Sequence, residues 1–136
     1  MKLRSLRDKV VVIVGASSGI GKLAAEEFLK QGARVVLAAR TEDAMQNHLR
    51  ELGVSRKRAI AVKADCSDFE DMRFVAKVAK KHFGRIDVWV HNAALSLYGA
   101  VHNLDAGEIS QVVDVNLKGQ MYGAKAALEI FREQRR

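Results

Sequence analysis

Three glycines and two serines in one short stretch, Gly15-Ala-Ser-Ser-Gly19-Ile-Gly21, are the residues of this sequence best suited to holding an anion. The missing Cβ at Gly15 permits a sharp turn, at Gly19 it lets main-chain amides approach a ligand, and at Gly21 it lets a helix lie close to the preceding strand. Amides at the start of that helix, with the Ser17 and Ser18 hydroxyls and the Ile20 main chain beside them, would face a point where the helix dipole stabilises a pyrophosphate. A glycine turn kept for its geometry alone is the competing reading. Context favours the phosphate, because Lys9 to Val14 reads as a strand covered on both faces and the residues from Gly19 onward read as a helix.

The elements that must position this turn alternate along the chain, short β-branched runs with longer segments of helical period, as in βαβ units around a parallel sheet. The first helix carries Ile20, Leu23, Ala24 and Phe28 as its apolar stripe and ends at Gly32. Arg34 to Ala39 is the second strand, followed by a helix over residues 42–52 with Met45, His48, Leu49 and Leu52 on one side. His48 reads as a packed residue at the core edge, since no second ligand sits a turn away. Ala59 to Ala64 is the third strand. Ser67 and Glu70 then have the spacing of a capping box, opening a helix with Met72, Val75, Ala76, Ala79 and Phe83 that Gly84 closes.

Ile86 to Val90 is the fourth strand, and Asp105 with Glu108 marks the start of a last helix. Its apolar stripe runs Ile109, Val112, Val113, Leu117, Met121, Ala124, Leu128, Phe131, with the amides Asn116 and Gln120 on or beside it. A buried amide must find partners, so Asn116 is either structural or part of a site. Gly119, Gly123 and Ala127 recur every four residues, which allows close approach by the sheet beneath or by a partner helix. The fold class is α/β, a doubly wound parallel sheet.

Composition bounds the rest. In 136 residues the chain has 23 Lys and Arg against 16 Asp and Glu, a formal charge of +7, and 49% apolar residues, as in an ordinary globular protein. Cys66 is the single cysteine, which excludes an internal disulfide and a Cys-rich zinc site and suits a reducing compartment. Apolar runs are too short to span a bilayer, so a cytoplasmic location away from membranes is expected, and no metal set is apparent. The basic residues fall in separate groups: Lys2, Arg4, Arg7 and Lys9; Arg56 to Arg58; Lys80 and Lys81; Arg132, Arg135 and Arg136. Without interleaved aromatic residues they read as solvated surface, and no nucleic-acid partner is expected.

The spacing Gly-x-x-x-Gly-x-Gly, with Asp65 after the third strand, Asn92-Ala93-Ala94 after the fourth and Val115-Asn116 in the last helix, closely resembles the short-chain dehydrogenase/reductase family over nearly the whole chain. Val14 stands where that family usually has Thr, and His91 and Ala94 replace the first Asn and the Gly of an Asn-Asn-Ala-Gly motif. The resemblance implies a Rossmann-like sheet of order 3-2-1-4 with helices on both faces. It implies that Asp65 and Cys66 meet the adenine, that Asn92 braces the fourth strand, and that Ala93, Ala94 and Val115 border the cofactor ribose. It also implies a catalytic role for Asn116, which in the family distorts the long helix and holds a proton-relay water on its backbone carbonyl.

In dinucleotide-binding folds an acid after the second strand chelates the ribose hydroxyls of NAD, whereas an arginine accepts the extra phosphate of NADP. Here Arg40 and Thr41 follow the strand with no acid before Glu42, and a guanidinium fork suits a phosphate, so NADP(H) is expected over NAD(H). The family's proton-transfer groups are a Ser and a Tyr-x-x-x-Lys pair beyond the long helix. Neither tyrosine substitutes: Tyr98 is followed four residues on by His102, and Tyr122 by Ala126. The resemblance therefore implies the cofactor-binding half of a reductase acting on a carbonyl or secondary alcohol, residues 1–136 ending before the catalytic segment, inactive alone and homo-oligomeric when full length. A non-catalytic dinucleotide-binding or sensing module working with a partner chain is the alternative.

Overall fold

The computed structural model describes residues 5–135, so Lys2, Arg4 and Arg136 of the basic groups lie outside the described residues. Four strands, β1 (Val10–Val14), β2 (Arg34–Ala39), β3 (Ala59–Lys63) and β4 (Val88–His91), form one parallel sheet in the order β3-β2-β1-β4. Helices α1 (Gly19–Lys30), α2 (Glu42–Glu51) and α3 (Phe69–Phe83) connect them, and α4 (Ala106–Val113), a π turn (Asp114–Lys118) and α5 (Gly119–Glu133) follow β4. All five residues of β1 are buried, as a central strand with helices on both faces requires.

Alternation along the strands divides two apolar layers. Val12, Val14, Val36, Ala38, Ile60 and Val62 meet α3 and α5, while Val11, Ile13, Val35 and Leu37 meet α1 and α2 through Ala25, Met45 and Leu49. This is the α/β class and strand order expected, with element ends displaced by one or two residues. The largest displacement is at β4, which begins at Val88 because Ile86 still bonds to a side chain, Gln134.

Three local expectations are corrected. Helix α3 is capped by Asp68, whose carboxylate accepts from the Glu70 N–H at 2.7 Å and the Asp71 N–H at 3.4 Å. The Ser67 hydroxyl is not the cap, because it donates to Asp65 Oδ1 at 2.7 Å. In α1 half of the expected stripe is displaced: Ala24 and Phe28 pack against the core as expected, but Ile20 and Leu23 are exposed, and Gly21 and Ala25 are the buried residues. A similar displacement holds for the π turn and α5, where Leu117, Met121 and Leu128 are more than half exposed while Gly119, Gly123, Ala126, Ala127 and Ile130 are buried. Small residues let each helix approach the sheet closely, and backbone packed on backbone displaces the larger side chains to the outside. A Cβ on Gly119 would lie 3.2 Å from Cys66 Sγ, and one on Gly123 3.0 Å from Trp89 Nε1. The small-residue stripe thus belongs to the sheet beneath it. The box at Asp105 is present, Asp105 Oδ1 accepting from the Gly107 N–H at 2.7 Å and Glu108 from the Asp105 N–H at 3.2 Å.

Asp87 ties the start of β4 to β1. Its nearly buried carboxylate accepts from the Val10 N–H at 2.9 Å and from Arg85 Nη2 at 2.6 Å, with Lys9 Nζ at 3.5 Å. Burial pushes its pKa up, but the Val10 amide, Arg85 and Lys9 together outweigh burial and hold it below the usual carboxylate range. A carboxylate whose pKa falls on folding stabilises above its unfolded value, about 3.9, and loses that contribution as pH drops through the folded value. Asp87→Ala should cost about 2–3 kcal/mol near neutral pH. Urea midpoints should show this gap narrowing below pH ~4. A gap that stays constant into acid would show that the carboxylate is not the cause.

Candidate functional site

The C-terminal ends of the four strands and the loops after them enclose a cavity of about 570 Å³, where open α/β sheets bind ligands. At the end of β1, Gly15 turns the chain with φ of 86° and donates its N–H to Ala38 O at 2.8 Å. A Cβ there would stand 2.6 Å from the Ala93 nitrogen, so the loop after β4 packs directly on this turn. Gly19 has φ of 53°, and a Cβ on it would meet nothing within 4 Å, so the turn is open to a ligand at this point. Gly21 lies behind the turn, the place of its missing Cβ taken by the Gly15 carbonyl, with Asn92 Nδ2 at 3.1 Å.

Helix α1 begins without the devices that complete the other loop-started helices. Ser18 makes no side-chain capping bond and the first turn holds no acid, whereas Glu42 and Asp43 open α2, Asp68 caps α3 and Asp105 caps α4. The first-turn amides of α1 therefore keep their donors, and the positive end of the dipole is not offset. Ser17, Ser18, Gly19 and Ile20 line the cavity there.

Arg40 and Thr41, after β2, form the neighbouring wall. Arg40 is exposed and makes no hydrogen bond or salt bridge among the described residues, but its charge reaches Asp65 and Cys66. Asp65 accepts from the Ser67 hydroxyl at 2.7 Å and the Ser67 N–H at 2.9 Å, both on Oδ1, while its own N–H donates to Asp71 Oδ2. The Ser67 hydroxyl is the main reason its pKa falls; burial opposes and Arg40 assists. Burial pushes the Cys66 thiol up, keeping it neutral.

Beyond β4, the Asn92 and Ala93 amides both donate to Val14 O, at 2.9 and 3.1 Å, closing this loop onto the glycine turn. The loop is held from the other side by Asn116, in the π turn. Asn116 Oδ1 accepts from the Leu95 N–H and Asn116 Nδ2 donates to Leu95 O, each at 2.7 Å. A π turn widens the helix by one residue, and here it turns Asn116 toward the loop while α5 keeps its small residues on the sheet.

Of the residues singled out in the sequence, Gly15, Ser17 to Ile20, Arg40, Thr41, Asp65, Cys66, Asn92 to Ala94 and Val115 line the one cavity. Gly21 and Asn116 do not; both act from behind its wall. Val14, Ala39 and Ala64 also line it and were not anticipated as contacts. As the residues at or just past strand ends in a parallel sheet, they could have been named from their position alone. His48 lies away from the cavity, buried, with Nε2 3.2 Å from Glu26 Oε1 but off the hydrogen-bond direction. A larger hollow of about 740 Å³ follows α5, bounded by residues of that helix only, so it has no opposing wall or convergent polar groups.

The sequence profile of the short chain dehydrogenases matches residues 9–136. The chain belongs to that family. An uncharacterized oxidoreductase of Bacillus subtilis, YxnA, is 42% identical over 131 residues, 96% of this chain and 37% of the relative. An uncharacterized oxidoreductase of Staphylococcus aureus is 36% identical over 129 residues, 95% of this chain and 55% of the relative. Among solved structures, a short-chain type dehydrogenase/reductase from Mycobacterium marinum superposes with a TM-score of 0.87 at 29% identity, over 96% of this chain and 53% of that one. A 3-ketoacyl-(acyl-carrier-protein) reductase from Brucella melitensis, complexed with NADH, gives 0.88 at 32% identity, over 95% and 52%. The chain of this short-chain dehydrogenase family member thus spans about half the length, or less, of the relatives it matches. Among the described residues no helix is long and apolar enough to cross a membrane.

Proposed function

We propose that residues 1–136 form the NADP(H)-binding domain of a short-chain oxidoreductase that moves hydride between nicotinamide and a carbonyl or secondary alcohol. The observation that carries the choice of cofactor is Arg40. Its guanidinium stands at the cavity wall after β2 without a bond to any described residue, and no carboxylate at that strand end offers itself to ribose hydroxyls. A neighbouring structure holds NADH, which supports a nicotinamide dinucleotide as the ligand class. Titration with NADPH and NADH tests the preference: tighter NADPH binding supports it, and equal affinities overturn it.

In this reading the free first-turn amides of α1 hold the diphosphate, with Ser17 and Ser18 beside it. Asp65 and Cys66 border the adenine, and Asn92, Ala93, Ala94 and Val115 border the ribose and nicotinamide. Asn116 serves the reaction by fixing Leu95 and by distorting the helix, its backbone carbonyl offering a place for a relay water. The bound cofactor supplies the hydride donor or acceptor. No Tyr-x-x-x-Lys pair occurs in these 136 residues, and Tyr98 stands 91% exposed, so the proton step needs groups other than these. The 136 residues alone should bind nucleotide weakly and reduce no ketone.

The exposed Leu117 of the π turn, with Met121 and Leu128 of α5, supports a homo-oligomer in the full-length form, which sedimentation would contradict by finding only monomer. A cytoplasmic setting fits the single unpaired thiol, Cys66.

A further inference from the structure

Two carboxamides tie α4–α5 to β4, one at each end. Gln134, at the C-terminus of α5, accepts from the Ile86 N–H through Oε1 at 2.7 Å and donates through Nε2 to Ile86 O at 2.8 Å. Asn116 does the same to Leu95 past the other end of the strand. A carboxamide presents a donor and an acceptor side by side, as the backbone of a neighbouring strand would. Ile86 is completely buried, so both of its main-chain groups depend on such a partner.

The two ties flank β4. Asn116 and Gln134 are 18 residues apart, across the π turn and α5, and Ile86 and Leu95 are 9 apart, on either side of the four-residue β4. Between the ties the helix rests on Gly119, Gly123, Ala126, Ala127 and Ile130, with Tyr122 and Phe131 at its edges. The small residues fix how near the helix lies, and the carboxamide bonds to Ile86 and Leu95 are direct hydrogen bonds from this helix to the segment that contains β4.

We propose that Gln134 is a positioning residue for the nucleotide cavity: paired with Asn116, it sets the axial register of the helix against β4 and thereby holds the Asn92 to Leu95 wall. The displacement that losing Gln134 allows is carried along the rigid helix to Asn116, loosening its two bonds to Leu95. Only the binding arm of the test rests on the proposed cofactor.

Residue-resolved amide hydrogen exchange on the whole chain, native and Gln134→Ala, reads both ends, alongside NADPH titration. Exchange should quicken about tenfold at Ile86 and about threefold to fivefold at Leu95, with NADPH affinity about threefold weaker and β1 amides unchanged. Faster exchange at Ile86 alone would overturn the coupling, and so would an equal rise at every amide, which is loss of stability only. If Gln134→Ala does not fold, Gln134→Glu, which keeps the acceptor for Ile86 N–H and loses the donor, must still quicken Leu95, or the proposal fails. Quickened Leu95 exchange with no NADPH binding by any form would refute the cofactor reading and leave the coupling standing.

Discussion

Gly21→Ala should cost about 3 kcal/mol of stability and lower NADPH affinity at least ~10-fold, although alanine is the better helix former by about 1 kcal/mol. The added methyl has nowhere to go. It would overlap the Gly15 carbonyl oxygen and stand 2.9 Å from its carbon, both main-chain atoms of the turn, with Asn92 Nδ2 at 3.1 Å. Relief requires moving α1 away from β1 or pushing Gly15 toward Ala93, which already packs against it. Either movement displaces the amides that face the cavity. Gly19→Ala is the control: its methyl meets nothing within 4 Å and costs only the ~1–2 kcal/mol of a left-handed backbone at φ 53°. Chemical denaturation of the two variants checks the contrast, and a Gly21→Ala protein as stable as the native one would show that close helix–strand packing is not required.

Arg40→Ala should weaken NADPH binding by roughly 10- to 100-fold and leave NADH within about twofold. A charge-assisted fork to a phosphate loses both hydrogen bonds and Coulomb energy when truncated. In the native protein the guanidinium makes no hydrogen bond or salt bridge to a described neighbour, and only its charge reaches Asp65 and Cys66, so its removal breaks no direct contact. The NADPH effect should shrink with added salt because the site is open to solvent. Equal losses for both cofactors would assign Arg40 to general attraction of anions. Unchanged NADPH affinity would remove it from the site.

The glycine turn was legible in sequence because its information is local. Gly15, Gly19 and Gly21 lie within one turn between a strand and a helix, and the need for no side chain at each follows from that context. Asp65, Asn92 and Val115 were legible through the resemblance to the short-chain family; a parallel sheet brings the strand ends that precede Asp65 and Asn92 to one edge, whereas Val115 reaches the cavity from the π turn. Asn116 was recognisable as a polar residue on an apolar stripe, but its partner was not: Leu95 carries no mark of the contact, which is made through its backbone.

Helix faces were misread where size misled. Ile20, Leu23, Met121 and Leu128 look like core residues by hydropathy, yet the sheet takes Gly21, Ala25, Gly119 and Gly123. Likewise Ser67 lost the helix cap to Asp68 because Asp65 claimed its hydroxyl. The amino-acid sequence by itself determined the β/α alternation, the parallel class and the glycine turn after β1, all consequences of periodicity and of glycine at fixed spacing. Only the tertiary structure decided which helix faces lie on the sheet, and that Gln134 and Asn116 hold the two ends of β4. Close backbone approach and main-chain hydrogen bonds between distant segments depend on distances that no local pattern of residues encodes.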